Sequence, residues 1–256
     1  MKFLTILYKI FKKLFPIKFK KYLKERIADS KKVSDEKFNK VAEAYYTEKI
    51  ETDGNNYEIL VSATKQIKNI DGIVCEIGTR LGGSAKWMID TLVDNNDTNR
   101  LFIAIDPYGN IEYDYGDGDL GSKLQFQGYT NTMRKEAVPF LYLYGLQRLS
   151  HFIFFNFEDT EFFSRFSDGI PIYSDSGKVL INLYSLVYFD GPHDYKTVKK
   201  EVEFFNTRTH IGSLYVFDDV KGHYDHKKIE EELLFNNGWE IFEVSPQKIS
   251  YKKVSN

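Results

Sequence analysis

The chain has 256 residues, 42% of them hydrophobic and 16% aromatic, enough for one α/β domain of ordinary size with an appendage. A single cysteine, Cys75, excludes an intrachain disulfide and a cysteine-based zinc site, and suits a reducing, cytoplasmic compartment. The net charge of −2 conceals a division: residues 1–26 hold eight Lys and one Arg against one Glu, leaving 26 basic and 36 acidic residues elsewhere. An acidic body argues against a nucleic-acid partner, which requires a basic surface where the polymer binds.

In residues 1–26 the apolar positions Leu4, Leu7, Ile10, Phe11, Leu14 and Phe15 recur at helical spacing, with Lys9, Lys12 and Lys13 between them until Pro16 interrupts the pattern. The apolar stretches fall short of the roughly 18 residues of a transmembrane span, and lysines interrupt any secretory signal. Two readings stay open for this basic amphipathic arm. It anchors on an anionic leaflet, on the inner face of a membrane, or it packs on the body or on another subunit of a homo-oligomer. Residues 27–54 read as a polar helical extension, and residues 55–256 as the main domain.

Beyond the turn at Asp53-Gly54-Asn55-Asn56, the spacing predicts a helix over Tyr57–Ile70 and a strand over Ile73–Ile77. A helix around Ala85–Leu92 follows. Further apolar runs lie at Leu101–Ile105, Phe152–Phe157, Leu186–Phe189, Leu214–Phe217, Glu240–Val244 and Lys248–Val254, with a helix over Thr197–Phe205. Short buried strands alternating with helices predict a Rossmann-like, doubly wound and mostly parallel seven-stranded sheet. The short turn Ser245-Pro246-Gln247 predicts a closing antiparallel hairpin. Residues 109–125, rich in Gly, Asp and Tyr, form a long irregular insertion.

Three motifs carry chemistry. In the first, the strand through Cys75-Glu76-Ile77 runs into Gly78-Thr79-Arg80-Leu81-Gly82-Gly83-Ser84 and then a helix. Gly78 permits a sharp turn and close approach of a ligand, and the amino terminus beyond Gly82 favours an anion. The G-x-x-x-G-G spacing departs from the G-x-G-x-x-G of dinucleotide binders and suits a smaller anion such as a carboxylate. It also speaks against a nicotinamide-dependent oxidoreductase. Glu76 would face a cationic group, so an amino-acid moiety satisfies both ends. A plain strand-turn-helix is the alternative. In the second motif, Asp106 closes the strand Leu101–Ile105, where this architecture holds a ribose diol; its alternative is a turn former ahead of Pro107. The third is Tyr188-Phe189-Asp190-Gly191-Pro192-His193-Asp194-Tyr195, a helix, and then Phe217-Asp218-Asp219. His193 is the candidate general base, because imidazole is neutral near pH 7.

A hydrophobic strand, D-G-x-H-x-Y, a helix and F-D-D in this order resemble the class I S-adenosylmethionine-dependent methyltransferases. The likeness is to the group of sugar and small-molecule O-methyltransferases near the macrocin O-methyltransferases, with catechol O-methyltransferase more distant. It spans about Tyr57 to Val254. The resemblance implies that Gly78 and Ser84 contact the methionine part of S-adenosylmethionine, in a donor site that also takes in Glu76, Thr79 and Gly82. Asp106 would hold the ribose, and Glu158 and Asp159 would lie near the adenine. It further implies a divalent cation, Mg²⁺ or Mn²⁺, on Asp190, Asp218 and Asp219. Neighbouring strands about 4.8 Å apart bring those carboxylates together, where they would repel unless a cation compensated them. The acceptor reads as a sugar, glycan or other polyhydroxylated molecule, or a catechol-like metabolite. His193, or Asp190 itself, would take its proton. His223 and His226 are secondary candidates for the substrate rim, and His210 is structural. A methyl-donor-binding, non-catalytic membrane-associated protein is the rival from another class.

Overall fold

The computed structural model describes residues 54–109, 112–114, 123–125, 131–174, 177–221 and 225–255. The basic arm, the helical extension before Gly54 and His223 lie outside the described residues.

The chain opens on helix α1 (Glu58–Gln66), strand β1 (Ile73–Ile77), helix α2 (Gly83–Asp94) and strand β2 (Leu101–Ile105). Two short strands, β3 (Glu112–Asp114) and β4 (Lys123–Gln125), precede helix α3 (Asn131–Arg148), β5 (His151–Phe155) and α4 (Asp159–Arg165). A hairpin of β6 (Ile170–Ser174) and β7 (Gly177–Ile181) leads to β8 (Tyr184–Phe189), α5 (Tyr195–Asn206) and β9 (Leu214–Phe217). The chain then passes through α6 (His226–Ile229), a π-helical turn and a 3-10 turn to β10 (Trp239–Val244) and β11 (Ile249–Lys253).

Seven strands form one sheet in the order β10-β11-β9-β8-β1-β2-β5. β5, β2, β1, β8 and β9 pair in parallel, and β11 pairs antiparallel with both β9 and β10. Every residue of β1, β2, β8 and β9 is buried, as helices on both faces of a parallel sheet require. At the edge, β5 alternates between buried and partly exposed positions. Aromatic rings fill the layer between β8, β9 and the helices: Phe189 stacks on Phe217 at 4.4 Å and Tyr215 on Trp239 at 3.7 Å between centroids.

The predicted sheet and its closing hairpin are present, with end shifts of a few residues. The helix expected over Tyr57–Ile70 stops at Gln66, where Ile70 N–H turns back to the Ile67 carbonyl. The insertion expected to be irregular contains the β3–β4 antiparallel ladder. The β6–β7 hairpin was not predicted. Its second strand is exposed or half-exposed throughout, so no inside–outside pattern marks it in the sequence.

One ladder row fixes the functional edge. Just past the carboxyl ends of the strands, Asp106 N–H donates to Phe155 O (3.0 Å), Gly78 N–H to Ile105 O (3.0 Å), Asp190 N–H to Ile77 O (2.9 Å) and Asp218 N–H to Phe189 O (2.9 Å). The pairing thus continues one residue beyond each strand and sets Asp106, Gly78, Asp190 and Asp218 side by side. β11 runs the other way, so its beginning reaches this same edge.

Candidate active site

A cleft of about 490 Å³ opens along that edge. Its walls include Gly78, Thr79, Ser84, Asp106, Glu158 and Asp159 on one side and Asp190, His193, Asp218 and Asp219 on the other. Glu76 and Gly82 are not on the wall.

Gly78 has φ +82°, and a Cβ there would lie 2.0 Å from the Asp190 carbonyl oxygen. The close approach expected of a ligand at Gly78 is therefore made by the neighbouring strand end. Gly82, also at φ +82°, is held against Leu141 of α3, whose Cδ2 would lie 2.5 Å from an added Cβ. Its role is the packing of α3 under the loop and the left-handed turn into α2. No side chain caps α2, and Gly83 and Ser84, its first residues, line the cleft. Unsatisfied N–H groups at a helix start favour an anion.

Glu76 is fully buried one bond behind the wall, where Ser84 Oγ donates to its Oε1. Its Oε2 and the Thr79 hydroxyl are buried without a well-formed hydrogen bond, although the Thr79 hydroxyl and the Ala85 N–H come near enough to lower the carboxyl. Burial pushes the Glu76 carboxyl up to about 8, against the lowering effect of the Ser84 hydrogen bond. A buried acceptor without a well-formed hydrogen bond is costly, and here it sits beside a helix terminus that favours negative charge. Such a pair matches the ammonium and carboxylate of an amino acid.

Asp106 Oδ2 accepts from the backbone N–H groups of Thr79 (3.0 Å) and Arg80 (2.8 Å), and Oδ1 from Tyr108 N–H (2.9 Å). Its carboxyl is raised by burial, and these three bonds work in the opposite direction. A carboxylate offers about four acceptor positions, so one direction remains for a hydroxyl. Asp106 therefore ties the glycine loop to β2 as well as facing the cleft. At the far wall, Glu158 N–H is 3.4 Å from the Glu161 carboxylate at the start of α4. Asp159 Oδ1 accepts from Thr160 N–H (2.6 Å), while its Oδ2 is buried without a hydrogen-bond partner. Nearby Glu201 is also buried, and its carboxyl is driven well above the usual range by burial and then by Asp159.

Of the three acids expected to share a metal, Asp190 and Asp218 converge on the Tyr188 hydroxyl, and Asp219 turns away. Asp218 Oδ2 accepts from Lys248 Nζ (2.6 Å) and from the Tyr188 hydroxyl (2.6 Å), and its Oδ1 from Asp219 N–H (2.8 Å). The Tyr188 hydroxyl also lies 3.0 Å from Asp190 Oδ2. Asp219, at φ +49°, turns its carboxylate outward to within 3.7 Å of His193 Nδ1. Loss of hydration raises the Asp190 carboxyl well above its usual range, as does the Asp218 charge, with Lys248 opposing. Among the described residues no group of three or more His, Cys, Asp or Glu side chains converges in a way that could hold a metal ion. The donor set does not fit the implied cation, because both lone pairs of Asp218 Oδ2 are already used.

Lys248, Tyr188 and Tyr57, all on the cleft wall, escaped the sequence reading. Sheet pairing was the signal for Lys248: Ile249 faces Phe217, which puts the residue before it opposite Asp218. His226 is a correction in the other direction. It is buried against Phe217 with its Nε2 2.7 Å from the Tyr251 hydroxyl, inside the core and off the substrate rim. His210 has the structural place expected of it, its Nδ1 3.2 Å from Ser213 Oγ.

The sheet order, with its one reversed strand, and a ligand cleft across the ends of β2, β1 and β8 define a class I methyltransferase fold. A family model described as a methyltransferase domain matches residues 75–220, and the chain belongs to that family of S-adenosylmethionine-dependent methyltransferases. Among solved structures, the chain resembles CalS11, a calicheamicin methyltransferase, at TM-score 0.53 and 13% identity, covering 77% of each chain. It also resembles the O-methyltransferase NovP at TM-score 0.51 and 13% identity, covering 78% of this chain and 79% of that one. No curated protein sequence matches it significantly.

Proposed function

We propose that the chain transfers the methyl group of S-adenosylmethionine to a hydroxyl of a sugar, glycan or other small polyhydroxylated molecule. The observation that carries the reading is the row of Asp106, Gly78 and Asp190 on one edge, with the buried Glu76 Oε2, which lacks a well-formed hydrogen bond, behind it. Glu76 would receive the donor's ammonium, the start of α2 its carboxylate, Asp106 its ribose, and Glu158 with Asp159 the adenine end. When bound, the donor supplies an electrophilic methyl group. Seven carboxylates on the wall, against Arg80 and Lys248 as permanent cations among the described residues, create a field that suits a sulfonium better than a pyrophosphate.

The remaining task is to align an acceptor oxygen and take its proton. His193 lines the cleft with the Asp219 carboxylate 3.7 Å from Nδ1, and its imidazole would take the acceptor's proton. Once the imidazole is protonated, the same carboxylate stabilises it. The sugar-type acceptor draws support from the density of carboxylates on that wall, which can accept from several hydroxyls. CalS11 is a calicheamicin methyltransferase and NovP an O-methyltransferase, which supports methyl transfer to a hydroxyl and leaves the acceptor class to the carboxylates. Isothermal titration with S-adenosylmethionine, followed by release of S-adenosylhomocysteine on a panel of glycans and catechols, tests the reading. Absence of donor binding would overturn it. A catechol-only response would move the acceptor class.

For residues 1–26 the proposed role is attachment to an anionic membrane surface, supported by their excess of Lys and their helical apolar spacing. Co-sedimentation of the full chain with phosphatidylserine vesicles, lost in 0.5 M salt, is the expected result. Equal recovery with neutral vesicles would count against it.

A further inference from the structure

The ammonium of Lys248 stands where the acids of this edge would otherwise need a metal ion, and we propose that it replaces that ion. Methyl transfer on this chain would then proceed without a divalent cation. This rests on the proposed methyltransferase activity for its catalytic consequence and on geometry alone for the site.

Four observations carry it. Lys248 is fully buried, an environment a lysine tolerates when it is paired and hydrogen-bonded. Its Nζ lies 2.6 Å from Asp218 Oδ2, and the two side chains are 1% and 9% exposed. Tyr188 links the same oxygen to Asp190, at 2.6 and 3.0 Å, so the ammonium and one shared hydroxyl join both strand-end acids in one network. Asp219, which would complete a metal triad, faces His193 instead.

The backbone explains why a lysine can reach this place. β9 and β8 deliver Asp218 and Asp190 at their carboxyl ends. β11 is antiparallel to β9, with Ile249 opposite Phe217, so it delivers the residue at its start. Gln247 O accepts from Val220 N–H at 3.1 Å and pins that start to the loop after Asp219. The ammonium is therefore held from both sides in a fixed position, 5.7 Å from the Tyr57 ring that closes the cleft above it. A Mg²⁺ or Mn²⁺ ion requires about six oxygen ligands in near-octahedral geometry, and it would have to displace a tethered cation of the same sign. Lys248 acts here as a positioning residue, orienting Asp218 and, through Tyr188, Asp190.

The test is Mn²⁺ binding to the full-length protein, read by loss of the free-ion paramagnetic resonance signal, with and without S-adenosylmethionine. Wild type is expected to take up no Mn²⁺ up to 1 mM, and its donor affinity to be unchanged by EDTA. Lys248→Met, which keeps the stem and removes the charge, is expected to acquire one Mn²⁺ per chain and a higher Tm in its presence. Asp218→Asn added to that variant should abolish both effects. One Mn²⁺ bound to wild type and lost in Asp218→Asn would overturn the proposal. So would a folded Lys248→Met that binds none. The wild-type arm decides even where the variant does not fold. Failure of the donor to bind at all would sink the methyltransferase reading while leaving the Mn²⁺ result interpretable.

Discussion

Glu76 combines burial with an unused oxygen, and two expected outcomes follow. Glu76→Gln removes a charge-assisted contact to the donor's ammonium, worth about 1.5–3 kcal/mol, so donor affinity should fall about 10- to 100-fold by titration calorimetry. The same substitution should raise the Tm of the ligand-free protein at pH 8 and leave it nearly unchanged at pH 5. The sign follows from linkage. A carboxyl at about 8 in the folded state holds its proton where the unfolded chain has lost it, so its stabilising effect is complete at low pH and disappears as pH rises towards 8. Equal effects at both pH values would contradict the assignment. Gly78 offers a steric counterpart. With φ +82° and the Asp190 carbonyl 2.0 Å from an added Cβ, Gly78→Ala should cost about 3 kcal/mol or more in urea unfolding.

Single residues also mark how far the sequence could be read. Asp106, Asp190 and Asp218 were legible as strand-end acids because each follows a continuous apolar run, and a parallel sheet puts all such ends on one edge. Lys248 was not. A lysine before a strand reads as a surface residue until its sheet neighbour is known. His226 was misread for the same reason, since Tyr251 comes from a segment 25 residues away in the chain.

Among the elements, α3 packs against the glycine loop at Leu141. Because Leu141 fills the space where a Gly82 side chain would go, Gly82→Ala and Leu141→Ala should be strongly coupled. The double variant is expected to lose less stability than the two single losses added, and strict additivity would show the contact to be unimportant. The turn between α1 and β1 depends on Arg100. Its guanidinium donates to the carbonyls of Ile67 (3.0 Å), Ile70 (2.7 Å) and Gly72 (2.9 Å) and to Ser185 Oγ (2.8 Å), while Asp97 holds Nε at 2.5 Å. A lysine cannot reproduce that planar fork, so Arg100→Lys should cost about 3 kcal/mol in equilibrium unfolding. Elements with two buried faces announce themselves by uninterrupted apolar runs, as β2 and β9 do. The β6–β7 hairpin has no such constraint: Tyr173 is 73% exposed and Val179 53%.

Across the whole molecule, buried titratable groups act on the pH dependence of stability in opposite senses. His226 is held down to about 4 by burial, so it stays neutral in the fold. Its depressed value contributes stability that is present above the unfolded histidine value and is lost as pH falls through about 4. Glu76 and Glu201 are raised, so their contribution is complete below the unfolded carboxyl value and is lost as pH rises through their folded values. Two raised carboxyls outweigh one depressed imidazole, so differential scanning calorimetry from pH 4 to pH 9 should show the Tm falling as pH rises. Glu201→Gln is expected to flatten that fall, and a slope unaffected by that variant would place the cost elsewhere.

The reversed direction of β11 has a practical consequence. Lys248, just before its first residue, stands at the cleft, while its last residue pairs with Trp239 and its Lys253 carbonyl accepts from Gly212 N–H, at the opposite margin of the sheet. A biotin or fusion partner joined beyond Ser255 would therefore attach at the margin of the sheet away from the cleft edge. Tethering the protein to a sensor surface by that point should leave the donor association rate unchanged.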